Sequence, residues 1–290
     1  MNISYSNGGF VRKIGRKLLN KTLINSANFL KLKLNNSYFS LKRLVNYGTL
    51  DYFDAVLIET STACNRKCSY CPNSIYGRGD LKNQTLMDMK LYKKIIDELA
   101  EIKFKGIIKP FYYNEPLLDK RLEEIARYTR QKLPENDIHI ATNGDFLTYQ
   151  RYLSLIKSGI TSIHITTHRF GIPKHIQKLF EKIKNRDEKI RVHYIFLNED
   201  SILDNRGGLV KVKNKNSVPR CLISPETFQI SCDGNVFLCC NDYFRKYTFG
   251  NVKNERIMDI WGKPAYIKLR KELKNKKFKY EICRKCVGLN

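Results

Sequence analysis

The segment Cys64-Asn65-Arg66-Lys67-Cys68-Ser69-Tyr70-Cys71 sets three thiols within one short stretch of chain. At these spacings three thiolates can converge on a single metal centre from one loop. Three is the informative number, because a closed structural site wants four protein ligands and three leave a position for a substrate. The alternative is a zinc knuckle that borrows a distant fourth cysteine. Zinc motifs usually pair cysteines as C-x-x-C, however, and Tyr70 has no task in one. A second set holds six of the nine cysteines: Cys221, Cys232, Cys239, Cys240, Cys283 and Cys286. Asp233-Gly234 between apolar runs signals a hairpin. Such a hairpin would carry Cys221, before its first strand, toward Cys239, at the end of its second. Cys283-x-x-Cys286 can then complete four ligands. Cys232 sits at the turn, and Cys240 should face away from Cys239 because strand side chains alternate. Neither is given a ligand role, although Cys239 and Cys240 could exchange. A four-cysteine zinc ribbon is the alternative reading of this unit.

These cysteines need a scaffold, and the pattern between residues 55 and 197 supplies one. Ala55–Thr60 reads as a buried strand that delivers the first cysteine loop. A helix follows with Leu91, Ile95, Ile96, Leu99 and Ile102 on one face, and Thr85 as its expected N-cap. Ile107–Tyr113 is a strand, Asp119 caps the next helix, and Ile138–Thr142 is a strand ending at Asn143-Gly144. Tyr149–Lys157 and Ile176–Ile183 read as helices, and Ser162–Thr167 and Arg191–Leu197 as strands. Repeated strand–helix units imply a parallel sheet, open or closed into a barrel whose chemistry sits at the carboxyl ends of the strands. Glu115, in Tyr113-Asn114-Glu115-Pro116, lies at such an end, as does His168. Asn198–Ser217 reads as a linker, and a helix around Met258–Leu273 joins the late cysteines.

Cys64-x-x-x-Cys68-x-Tyr70-Cys71 after a first strand resembles the signature of the radical S-adenosylmethionine (SAM) superfamily. The resemblance implies an α/β fold, a partial (β/α)6 TIM-like barrel, in which Cys64, Cys68 and Cys71 hold three irons of a 4Fe-4S cluster. The fourth iron takes the amino and carboxylate groups of SAM. One electron then splits SAM, and the deoxyadenosyl radical abstracts hydrogen from the substrate. By the same resemblance Tyr70 lies beside the adenine, and Glu115 stands where relatives bind the SAM amino group, although the family's preceding glycines are absent. Cys221, Asp233-Gly234, Cys239, Phe249-Gly250-Asn251, Trp261 and Cys283-x-x-Cys286 resemble the auxiliary-cluster extension called SPASM, or twitch when short. That implies a second 4Fe-4S cluster on Cys221, Cys239, Cys283 and Cys286. The implied domains are 1–50, a basic N-terminal segment; 51–215, the radical SAM core; and 216–290, a small β-hairpin and helix auxiliary-cluster domain.

A hydrogen-abstracting radical beside an electron-accepting cluster suits a net oxidation. The organisation resembles dehydrogenases of aminocyclitol or carbohydrate-like alcohols. A peptide substrate is the second reading, and a zinc-binding or redox-sensing protein the third. An electron donor such as flavodoxin or ferredoxin is implied. The formal charge of +25, from 53 Lys plus Arg against 28 Asp plus Glu, fits either a polyanionic partner or a Lys- and Asn-rich composition. The second is favoured, since no RNA-binding or helix-turn-helix signature accompanies the charge. Residues 1–50 carry nine basic residues and no acidic one, with Phe10, Ile14, Leu18 and Leu19 near helical spacing. That face could lie on a membrane or dock a leader peptide, or pack on its own domain. No run approaches a membrane span, and no cleavable signal is evident, so a cytoplasmic location with reduced thiols is expected.

Overall fold

The computed structural model describes residues 2–7, 38, 40–167, 172–184, 190–197, 201, 203–212, 221 and 225–289. The amphipathic stretch from Phe10 onward, His168 and parts of the expected linker (198–200, 202 and 213–217) lie outside these residues. Strand–helix units do alternate as expected. In chain order the elements are β1 (Asn2–Asn7), β2 (Ala55–Ile58), α1 (Pro72–Tyr76), α2 (Met89–Glu101), β3 (Ile107–Lys109), α3 (Leu122–Lys132) and β4 (Asp137–Thr142). There follow α4 (Tyr149–Lys157), β5 (Ser162–Thr167), α5 (Lys174–Ile183) and β6 (Arg191–Phe196). The chain finishes with β7 (Thr227–Ile230), β8 (Asn235–Phe237), β9 (Thr248–Asn251), α6 (Ile257–Trp261), α7 (Pro264–Lys274) and α8 (Glu281–Val287).

One sheet runs in the order β1-β6-β5-β4-β3-β2-β7-β8-β9. Neighbours from β1 to β7 pair parallel, and β7-β8-β9 is an antiparallel meander. The Asp233-Gly234 hairpin is therefore where expected, and Gly234 takes a φ of +86° that a side chain would resist. Asn2–Asn7 forming an edge strand beside β6 was not expected from its polar sequence. Its partner supplies the order: β1 pairs along all six residues of β6.

Two apolar cores lie along the sheet, one on β2, β3 and β7 and the other on β4, β5 and β6. One packs Val56, Ile58, Ile95, Leu99 and Ile108 against Phe228, Trp261 and Tyr266, so the last third of the chain shares its core with β2 and β3. The other packs Ile138, Ile140, Ile163, Ile165 and Val192 against Leu122, Leu155, Leu179 and Ile183. Three local expectations shift. The N-cap of α2 is Asp88, whose carboxylate accepts from the Lys90 N–H, and not Thr85. Asp119 binds the Arg121 backbone and guanidinium one turn before α3 rather than capping it. The helix expected over Met258–Leu273 is two helices, because Pro264 removes an N–H and restarts the chain at its own first turn.

Candidate functional site

β2 ends in a buried run, Glu59 to Ala63, that delivers Cys64. The cysteine loop then closes on itself: the Cys71 N–H donates to the Cys68 carbonyl (3.0 Å), and the Ser74 hydroxyl donates to the same oxygen (2.7 Å). Cys71 precedes α1, which Pro72 starts and Gly77 stops. Cys64, Cys68 and Cys71 stand close together: Cys64 feels the charge of both Cys68 and Cys71, and Cys71 feels that of Cys68. Burial pushes Cys64 up to about 11, with Glu115, Cys68 and Cys71 adding to it, and burial likewise raises Cys71. Tyr70 is raised by burial and by Cys68.

Glu115 comes from the loop after β3 and is 2 % exposed. Its N–H donates to Ala63 O (2.8 Å), which ties it to the start of the cysteine loop. Its Oε1 accepts from the Thr142 hydroxyl (2.6 Å) and the Leu117 N–H (3.0 Å), and its Oε2 from the Asn143 N–H (2.8 Å). Burial raises its pKa, against the pull of these three donors. The chain segments that follow β2, β3 and β4 thus meet at Glu115.

The loop is also latched from outside. Arg66 grips Asp145 with two guanidinium nitrogens, and Asn65 bridges Asp145 (2.9 Å) and Asn143 (2.8 Å). Beneath, Glu59 accepts from both Arg78 and Arg245 while only 1 % exposed. Arg78 follows α1 and Arg245 lies in the hairpin unit, so one carboxylate joins the two cysteine-bearing segments. Cys232 packs on that carboxylate and not on the other cysteines: its N–H lies 3.3 Å from Glu59 Oε2.

The second set gathers around α8. Cys283 and Cys286 are one turn apart on it, with Cys221 close to both. Burial pushes Cys283 up to about 12 and Cys286 to about 11, and Cys239 is raised by burial, Cys240, Cys221 and Cys283. The Asn241 amide donates to Cys286 Sγ (3.2 Å). Cys240 does not turn away as expected. β8 ends at Phe237, so strand alternation stops before it, and Cys240 stays near Cys286, Cys221 and Cys239.

Between the sets lies a polar seam that sequence reading missed. The hydroxyls of Tyr112 and Tyr113 both donate to Cys240 O (2.9 and 2.7 Å). Arg206 lies over the Tyr113 ring at 5.6 Å, and its charge is felt by Cys71 on one side and Cys240 on the other. It adopts a left-handed φ of 52°, and its buried Nε has no hydrogen-bond partner among the described residues. Its only sequence signal was Arg206-Gly207-Gly208. The glycine is needed there, since a side chain at Gly207 would strike Ile282 of α8.

On the lower half of the sheet, His139, His164 and His193 occupy the third positions of β4, β5 and β6, with ring centroids 4.2 and 5.1 Å apart. Burial and neighbouring cations hold His139 at about 3 and His164 at about 4, so both are uncharged at neutral pH. Among the described residues no three His, Cys, Asp or Glu side chains are drawn together tightly enough for a single metal ion. Both cysteine sets are purely thiol and mutually close, a donor chemistry that fits iron–sulfur clusters, which span more space than one ion. No helix among the described residues is long and apolar enough to cross a membrane.

Comparison with known proteins places this geometry. A family model for the radical SAM superfamily matches residues 58–199, and one for the SPASM iron–sulfur cluster-binding domain matches residues 221–287. The S-adenosyl-L-methionine-dependent 2-deoxy-scyllo-inosamine dehydrogenase of Niallia circulans is 31% identical over 242 residues, covering 81% of this chain and 92% of that one. The crystal structure of BtrN with AdoMet and 2-DOIA superposes with a TM-score of 0.69 at 31% identity, covering 80% of this chain and 92% of that one. Native anSMEcpe with bound AdoMet shares the fold, with a TM-score of 0.52 at 16% identity over 80% of this chain and 86% of that one.

Proposed function

Because the chain belongs to the radical SAM superfamily, with a SPASM-type iron–sulfur extension, we propose that it oxidises a secondary alcohol of an aminocyclitol or similar carbohydrate-like substrate to a ketone. The observation that carries this reading is the seam itself. Tyr112, Tyr113 and Arg206 lie between an open three-thiol loop and a second, fuller thiol set. Cys64, Cys68 and Cys71 hold the SAM-binding 4Fe-4S cluster, and Cys221, Cys239, Cys283 and Cys286 hold the auxiliary one. When bound, these clusters and SAM supply hydrogen-atom abstraction and an acceptor for the substrate's second electron.

The chain's own groups do the rest. Glu115 keeps one oxygen with a single internal donor, and that oxygen accepts from the SAM ammonium. Tyr70 flanks the adenine. Arg206 offers its unpartnered Nε–H to a substrate hydroxyl, since a buried donor without a partner favours a ligand that supplies one. The Arg66–Asp145 latch holds the cysteine loop against the end of β4. A flavodoxin- or ferredoxin-type carrier in the cytoplasm supplies the reducing electron.

Anaerobic reconstitution tests the reading. About eight irons per chain are expected, four for each cluster. Incubation with dithionite, SAM and 2-deoxy-scyllo-inosamine deuterated at the carbinol carbon should move deuterium into deoxyadenosine. Stoichiometric zinc with little iron would refute the radical reading. Deoxyadenosine without substrate deuterium would refute the substrate class alone.

A further inference from the structure

The reaction proposed above starts with an electron delivered by another molecule to the first cysteine set. α1 begins one residue after Cys71, and Ser74 bonds back to both Cys71 O (3.0 Å) and Cys68 O (2.7 Å). The next two side chains of that helix, Ile75 and Tyr76, are 53% and 44% exposed. Tyr76 meets Phe244 edge-on at 4.8 Å, and Phe244 is 60% exposed. Phe244 lies within the second cysteine set, four residues after Cys240. Large apolar side chains from segments that carry cysteines of both sets therefore meet on the surface. A single exposed apolar residue is ordinary, but a joined patch marks an interaction site.

The surroundings are basic. Lys67, Lys82 and Lys246 are exposed in the same segments. The acidic neighbours Asp80, Asp242 and Glu281 are each engaged: Asp80 by the Lys82 N–H (2.9 Å), Asp242 by the Lys246 and Tyr247 N–H groups (2.9 and 3.0 Å), and Glu281 by the Lys285 ammonium (2.6 Å). Arg78 and Arg245 beneath are both paired with Glu59, and Arg245 also with Asp233 (3.3 Å). Inward, Tyr76 leads to Tyr243 (5.8 Å) and Tyr243 to Tyr113 (5.3 Å), whose hydroxyl bonds Cys240 O.

We propose that Ile75, Tyr76 and Phe244, flanked by Lys67, Lys82 and Lys246, form the docking face for a small acidic electron-carrier protein. The proposal rests on the radical SAM function and adds its partner surface. An apolar centre with a charged rim is the anatomy of a specific interface, and opposite charge steers the encounter. The face is joined to Cys68 and Cys71 by one turn of helix and two hydrogen bonds, a short route inward. The carrier's reduced centre loses one electron, the oxidised first cluster gains it, and no bond or proton changes at the face.

The test compares two reductants on the reconstituted full chain: dithionite, and a flavodoxin kept reduced by its reductase and NADPH. In the triple variant Ile75→Ser, Phe244→Ser, Lys246→Glu, flavodoxin-driven deoxyadenosine formation should fall about tenfold through a raised KM for flavodoxin. Dithionite-driven formation should stay within about twofold of the parent, since no carrier docks in that assay. Raising ionic strength should slow the flavodoxin-driven parent toward the variant. An unchanged flavodoxin-driven rate would overturn the proposal. So would equal loss with both reductants, because the patch would then be scaffold for the cluster loop. Failure of the parent itself to make deoxyadenosine with dithionite would instead refute the underlying radical function.

Discussion

Replacing Glu115 by Gln changes one atom and removes one charge at the point where three strand ends meet. Oε1 already accepts two internal donors, Thr142 Oγ1 and the Leu117 N–H, while Oε2 accepts only the Asn143 N–H. A carboxylate has room for about four donors, so the remaining place lies mainly on Oε2. In the Gln variant the amide oxygen is drawn to the two-donor position. The amide nitrogen then faces the Asn143 N–H and would present hydrogens to the SAM ammonium. Losing a hydrogen bond to a charged group costs about 1.5–3 kcal/mol, or roughly 10- to 150-fold in SAM affinity. The stranded Asn143 N–H separately costs about 1–3 kcal/mol of stability. Equilibrium dialysis of labelled SAM against the cluster-loaded protein measures the first, and thermal unfolding the second. Thr142→Val is the control, since it removes an internal donor and keeps the charge. It should bind SAM within about threefold of the parent, because the charge that attracts the ammonium stays and the lost donor is internal to the protein. SAM binding by Glu115→Gln within twofold of the parent would refute the ammonium role. Equal loss in both variants would show that rigidity of the β4 end, not charge, governs binding.

Glu59→Gln should leave Arg78 and Arg245 without their shared anion. With those side chains 21% and 17% exposed, the cost should fall near the lower end of the range for a broken buried pair, about 3 kcal/mol. A melting temperature lowered by roughly 6–12 °C is expected, and an unchanged one would show that the triad adds nothing to stability. A Cys283→Ala, Cys286→Ala variant that retains its fold and first cluster should still cleave SAM with dithionite but release no ketone. Normal ketone formation would make the auxiliary cluster structural, and loss of deoxyadenosine would refute the division of labour between the sets.

The readable part of this site was whatever is local in sequence. Cys64, Cys68, Tyr70 and Cys71 lie within one turn-rich loop, and Tyr149–Lys157 and Ser162–Thr167 match their expected spans because their burial follows helical or alternating spacing. Glu115 was singled out by its resemblance to a family motif at the carboxyl end of a strand. The Arg66–Asp145, Glu59–Arg78–Arg245 and Tyr113–Arg206 contacts were not legible, because each joins segments far apart in the chain by charge or ring packing that leaves no periodic trace. Cys240 was misplaced for a related reason. Alternation predicts side only while a strand lasts, and β8 is three residues long.

The parallel pairing of β7 with β2 runs through four residue pairs, from Ala55 with Thr227 to Ile58 with Ile230. It makes β2, whose four residues are all buried, an interior strand. A chain cut before β7 would bare the backbone donors and acceptors along that side of β2 beside a run of apolar side chains. Such an edge is a template for strand addition by another copy, and nothing in Ala-Val-Leu-Ile opposes it, since there is no charge, proline or bulge. The late segment therefore acts as a built-in shield against self-association, whatever its cysteines do. During synthesis the core would have to wait for the ribosome to release residues 227–230 before its most adhesive strand is covered.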